Sequence, residues 1–297
     1  MRENIFKLSS LILSTSGLAF FASAAAAQEV TLFIPTATIV DYDPFEGLAG
    51  LREVNLEAGY YGEAPISVRL IITPDTHGDF RFIGSGEPLE FEIISTYGRS
   101  DINRFDVPVT LVPSGALQTI PLTFKIPPGQ YADYGDVEID LKIELVDSIT
   151  SEALSDEKFL TLVRRTPMRA QTNFAGASAG YENGTTYAVV NFGEINRGDS
   201  RNINFQVRGN TNVDIIMSSE NNGKMINISA PDTLPINYSV TADGIQSDLS
   251  TPLEFTRRPN KTLNGSSYPL VITLDAMETG AFAGQYRDII SIDVTPR

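Results

Sequence analysis

Apolar residues in this chain recur at every second position, and that period constrains the fold more than any other feature. The run Val137-Glu138-Ile139-Asp140-Leu141-Lys142-Ile143-Glu144-Leu145 alternates without a fault, and residues 121–126 and 203–207 do the same. A period of two puts every apolar side chain on one face of a strand, whereas a helix needs a period of about 3.6. Runs rich in β-branched residues recur at 66–73, 89–94, 213–216 and 269–274. Turn formers separate them: Pro74-Asp75, Gly84-Ser85-Gly86, Pro127-Pro128-Gly129, Asn221-Asn222-Gly223 and Asp243-Gly244. Short strands at this spacing, with no amphipathic helix and at most a turn near 149–154, predict an all-β chain built of sandwiches.

The pattern repeats. Ile39-Val40-Asp41-Tyr42 matches Val189-Val190-Asn191-Phe192 at an offset of 150, and both lead into alternating strands. Gly129-Gln130-Tyr131 returns as Gly284-Gln285-Tyr286 at an offset of 155. Two tandem immunoglobulin-like β-sandwiches, residues 28–166 and 167–297, account for this better than one large domain. The copies differ at their ends. In the first, the strand at 137–145 is followed by a polar turn and a further strand over 158–163. In the second, the strand carrying Ile290, Ile292 and Val294 is the last. The second sandwich is therefore expected to lack its final strand, with these three residues lining a groove that a strand of another molecule fills.

Residues 1–27 read as a secretory signal peptide. Arg2 and Lys7 open it, residues 8–21 are apolar with interspersed serines, and Ala25-Ala26-Ala27 supplies a small-residue cleavage site. The apolar stretch is too short for a membrane span, so an exported chain starting near Gln28 is expected. Cleavage would remove two basic and one acidic residue, leaving 20 basic against 36 acidic residues, a net charge of −16. Such a surface repels phosphate backbones and argues against nucleic acid as a partner. The chain has no cysteine, which excludes thiol catalysis, thiolate metal sites and disulfide exchange.

The closing segment Gly284-Gln285-Tyr286-Arg287-Asp288, followed by alternating Ile290, Ile292 and Val294, resembles the signature of the spore coat protein U domain family. That family includes the pilins and tip adhesins of archaic chaperone–usher pili. Val190-Asn191-Phe192-Gly193 and Asn237-Tyr238-Ser239-Val240 are similar to its earlier elements, so the resemblance covers about residues 170–297. It implies an all-β fimbrial subunit with no cofactor. The missing strand would come first from a periplasmic chaperone, on the way to the usher, and then from a neighbouring pilin subunit. A complete front domain ahead of an incomplete rear one implies a pilus-tip adhesin that binds a host, abiotic or glycan surface and supports biofilm formation. Localisation through the periplasm to the cell surface follows. The absence of a disulfide departs from many pilins of that family.

Candidate sites are few. A Ser–His–Asp triad would have to use His77, the one histidine, and no Gly-x-Ser-x-Gly elbow accompanies it, so no catalytic residue is assigned. Asp41, Asp43 and Glu46, or Asp243 and Asp248, are oxygen-rich but do not fit a twelve-residue calcium loop, and no metal is expected. The adhesive site is expected at the pole of the front sandwich far from the linker. There Tyr60, Tyr61, Tyr97 and Phe105, with the loop at 149–154, would supply aromatic area beside glycine-rich turns. Alternative readings are a secreted coat protein of the same domain family and a periplasmic pilus chaperone. A chaperone is disfavoured by the acidic balance and the acceptor-type ending. Residues 30–34 could be either a donor strand or the front sandwich's own first strand.

Overall fold

The computed structural model describes residues 29–76, 78–84, 86–174, 187–275 and 283–297. The chain is all-β. Among the described residues there is no α-helix, and none long and apolar enough to cross a membrane. The front unit begins with β1 (Glu29–Phe33), β2 (Ala37–Asp41), β3 (Gly50–Tyr61) and β4 (Ile66–Pro74). Short strands β5 (Arg81–Phe82), β6 (Leu89–Glu90), β7 (Glu92–Ile94) and β8 (Arg99–Asp101) follow. It closes with β9 (Arg104–Leu111), β10 (Gln118–Ile126), β11 (Gly135–Asp147) and β12 (Lys158–Thr166).

Apart from β5 and β6, which pair with each other, these strands make two facing sheets, ordered β1-β3-β10-β7 and β2-β12-β11-β4-β9-β8. Alternation decides which residues meet between them. Leu56, Leu122 and Phe124 of one sheet and Leu70, Ile72, Leu141 and Ile143 of the other are fully buried in one core. Strand β12 lies between β11, to which it is antiparallel, and β2, to which it is parallel. Its Leu160 and Leu162 reach the core. Strand β1 pairs with β3 over its whole length and buries Leu32. Residues 29–33 are thus the front unit's own first strand, not a free donor.

The rear unit repeats this plan: β13 (Ala170–Phe174), β14 (Ser200–Gly209), β15 (Val213–Ser219), β16 (Lys224–Asn227), β17 (Ile236–Ala242) and β18 (Ile245–Ser247). It ends with β19 (Leu253–Arg257), β20 (Ser266–Leu274), β21 (Tyr286–Arg287) and β22 (Ile290–Pro296). One sheet runs β13-β14-β20-β17-β16-β21, and the other is only β19-β15-β22. That second sheet matches β9-β4-β11 of the front unit. Nothing among the described residues corresponds to β12 and β2 beside it. The rear sandwich's own core forms around Phe205, Val207, Ile215, Met217, Tyr238 and Leu270.

Candidate functional site

Strand β22 sits at the edge of its sheet. It pairs with β15 so that Ile292 lies beside Met217 and Val294 beside Ile215. Both partners in β15 are fully buried, yet Ile290, Ile292 and Val294 are only half-buried. The inward residues of β11, by contrast, are fully buried from Ile139 to Leu145. The difference is what a neighbouring strand supplies, because β11 has β12 beside it and β22 has none among the described residues.

The second copy of the early repeat element shows the same difference. Ile39-Val40-Asp41-Tyr42 and Val189-Val190-Asn191-Phe192 are the repeat pair, but only the first lies in a strand. In the front unit β12 holds β2 in parallel register, Thr161 against Ala37 and Arg165 against Asp41, and Val40 and Tyr42 are buried. In the rear unit no such partner lies among the described residues, residues 189–192 form no strand, Val189 is exposed, and Val190 and Phe192 are half-buried against the core. Phe174 of β13 is likewise only partly buried against the rear core.

The foot of β22 is anchored by Asp288, the acid of the Gly-x-Tyr-x-Asp motif. Its carboxylate accepts bonds from the Tyr238 hydroxyl at 2.5 Å, the Ser219 hydroxyl at 2.6 Å and the Ile289 amide at 2.8 Å. Asn221 adds its side-chain amide at 3.0 Å and its backbone amide at 3.1 Å. One acid thereby ties β17 and the end of β15 to the start of β22. Burial of the Tyr238 phenol, with the Asp288 bond second, holds its pKa far above the ordinary phenol range.

At the opposite end of the molecule the aromatic assignments need correction. Tyr60 and Phe105 are core residues, not surface ones. Alternation along β3 turns Tyr60 inward, and its ring lies against Gly62, where any Cβ would collide with it. Phe105 is likewise covered by Gly98. Glycine beside an aromatic residue here makes room for a buried ring; it does not free a recognition loop. Tyr61 and Tyr97 are exposed, at 57% and 73%. Tyr61 ends β3 at the far pole. Tyr97 lies on the flank, in the turn from β7 to β8, where Ser95 donates to the Pro121 carbonyl.

Val112 and Leu117, which the sequence reading missed, join Tyr61 and the expected 149–154 turn. The turn after β9 bonds back to Tyr60 through the Gly115 amide and leaves Val112 and Leu117 exposed. The turn after β11 is fixed by Asp147, whose carboxylate accepts from the Ile149 and Thr150 amides, at 2.7 and 2.8 Å. Those bonds lower its pKa below the usual carboxylate value. The same turn holds Ile149 out at 91% exposure. Apolar residues flanking Pro113-Ser114-Gly115 were the readable signal for Val112 and Leu117.

The acidic groups weighed as metal ligands have other partners: Asp43 pairs with Arg169 at 2.6 Å, Asp243 with Arg257 at 2.6 Å, and Asp248 accepts from Ser250. His77 lies outside the described residues, as do residues 1–28 with the expected signal.

No protein-family model matches the chain, and no curated protein matches it. Among solved structures it is similar to a chain of the chaperone–tip adhesion subunit pre-assembly complex from the archaic chaperone–usher Csu pili of Acinetobacter baumannii. The identity is 11%, covering 89% of this chain and 99% of that one, with a TM-score of 0.46. The CupB6 tip adhesin of Pseudomonas aeruginosa matches at 12% identity, over 89% of this chain and 94% of that one, with a TM-score of 0.40. CfaE, the adhesive subunit of CFA/I fimbria of enterotoxigenic Escherichia coli, matches at 12% identity, over 90% and 81%, with a TM-score of 0.38. The fold assigned above rests on strand order and register alone.

Proposed function

We propose that this chain is an exported, non-enzymatic fimbrial subunit of the spore coat protein U kind. Its rear sandwich takes a donor strand, and its front sandwich meets a surface. The observation that carries the reading is the uncovered edge of β22. A half-buried row of Ile290, Ile292 and Val294 beside a backbone ladder with no second partner among the described residues is a template for strand addition. The donors would be a periplasmic chaperone and then a neighbouring pilin subunit, with an usher between. Because β1 is committed to the front sheet, residues 29–33 are not free to complete another subunit. With this first described strand committed to its own sandwich, the subunit takes the tip position in this reading. The distal pole, with Tyr61, Val112, Leu117 and Ile149, and Tyr97 on the flank, is the proposed contact with a host, abiotic or glycan surface.

A strand-donating chaperone would need cations available in the cleft between its sandwiches. Here Arg258 and Lys261 bind Asp133 and Arg169 binds Asp43, which supports the acceptor reading instead. The test is to isolate surface fibres from cells that make the chain and locate it by immunogold labelling. Label at fibre ends, lost when Ile292→Asp is introduced, supports the reading. A soluble monomer outside any fibre, or label unchanged by the substitution, sinks it.

A further inference from the structure

The Gly-Gln-Tyr-x-Asp element occurs twice, and its acid does different work in each copy. Asp288 is consumed inside the rear unit by the five bonds described above. Asp133, its counterpart, faces the other sandwich: Oδ1 accepts from Arg258 at 2.8 Å and Oδ2 from Lys261 at 2.6 Å, both in the turn between β19 and β20. The Tyr131 hydroxyl lies 3.1 Å from Asp133 Oδ1 and 3.2 Å from the Gly209 carbonyl, tying the acid to the start of the β14–β15 turn. Only 14% of the Asp133 side chain is exposed.

The surroundings of this acid leave little slack. Arg208, almost fully buried, stacks 5.0 Å over the Phe45 ring and donates to the Phe45 carbonyl across the boundary. Asn210, fully buried, pins the linker: its side chain accepts from the Arg169 amide and donates to the Pro167 carbonyl, at 2.9 and 2.7 Å. Its carbonyl accepts from the Tyr134 amide of the front unit. In a chain of net charge −15, Arg169, Arg208, Arg258 and Lys261 gather here against Asp43, Glu46 and Asp133. Tandem domains ordinarily move relative to one another unless an interface prevents it. Asp133 and Asp43 are largely covered while their cations remain partly open to solvent, so the pairs act chiefly by fixing orientation.

We propose that Asp133 is the centre of an ionic clamp that docks the front sandwich onto the basic β19–β20 turn of the rear one, so that the two move as a single body. The distal pole then keeps a fixed direction relative to β22, and load on one unit passes to the other without a hinge. The partner of this surface is the chain's own Arg258–Lys261 turn.

The absence of cysteine makes the test clean. Glu138→Cys and Glu254→Cys are introduced into the full chain, spin-labelled, and the interlabel distance distribution is measured. The clamp predicts one narrow distribution that broadens in Asp133→Asn and with rising salt. The paired reversal Arg258→Glu/Lys261→Glu should also broaden it, and adding Asp133→Lys should narrow it again. A purely local loss of structure would not be repaired by that third substitution. A distribution already broad in the unmodified pair, or one unmoved by Asp133→Asn, overturns the proposal. Neither result bears on whether β22 accepts a strand.

Discussion

Ile292→Asp and Ser291→Asp separate an acceptor groove from an ordinary sheet edge. Register puts Ile292 beside buried Met217 on the inner face and Ser291 outward, exposed. A donor strand would cover the minor part of Ile292 that remains open, which is worth about 1 kcal/mol at most. Covering a carboxylate without a partner in its place costs about 2 kcal/mol more at the low end of such penalties. The sum, about 3 kcal/mol, weakens capture roughly 100-fold. A suitable probe is a labelled peptide of residues 158–166, since that strand already fills the equivalent place in the front unit with Leu160 and Leu162 inward. Fluorescence anisotropy with the full chain reads the affinity. Ser291→Asp should leave it unchanged or slightly tightened, because the peptide carries Lys158, Arg164 and Arg165. Equal affinities for the two variants would refute the register, and no capture by the unmodified chain would refute the groove.

Other outcomes follow from the same contacts. Expressed separately, residues 28–166 should melt cooperatively as a monomer. Residues 167–297 should aggregate or stay unfolded until a strand is supplied, and a cooperative, monomeric rear unit would contradict this. Asp288→Ala strands the buried Tyr238 hydroxyl and should destabilise the rear unit by about 3 kcal/mol, whereas Asp133→Ala should barely move the front unit's melting temperature. Similar shifts for both acids, read by calorimetry, would show that the two motifs do the same work. Burial, and next the Asp133 charge, pushes the Tyr131 phenol up to about 12. Its contribution should therefore be intact below about pH 10, the unfolded phenol value, and lost as pH rises toward 12. A tyrosinate absorbance titration of Tyr131→Phe against the parent chain checks this: a phenol ionising near pH 12 should be the one that disappears, while the Tyr238 phenol remains. Tyr61→Ala and Tyr97→Ala should reduce attachment to glass, polystyrene or glycan surfaces while the front unit stays folded, and the reverse pattern with Tyr134→Ala would move the adhesive site to the junction.

The period of two was written in the residues themselves, and with it the class of fold and the inward face of nearly every long strand. Val137 to Leu145 and Ile290 to Val294 announce their buried faces because side-chain alternation is a local property of extended backbone. The repeat of Gly-Gln-Tyr was equally local. What the chain could not announce was which of two similar residues meets a neighbour. Tyr60 and Tyr61 are adjacent aromatics in one strand, and only the placement of the opposing sheet makes the first core and the second surface. Val189-Val190 and Ile39-Val40 have the same character, yet only the pair with β12 beside it becomes a strand, since a ladder needs a partner that lies more than a hundred residues away in sequence. Asp133 and Asp288 share a motif and differ in role for the same reason. One has the donors of its own sandwich within reach and the other those of its neighbour, and reach is decided by packing.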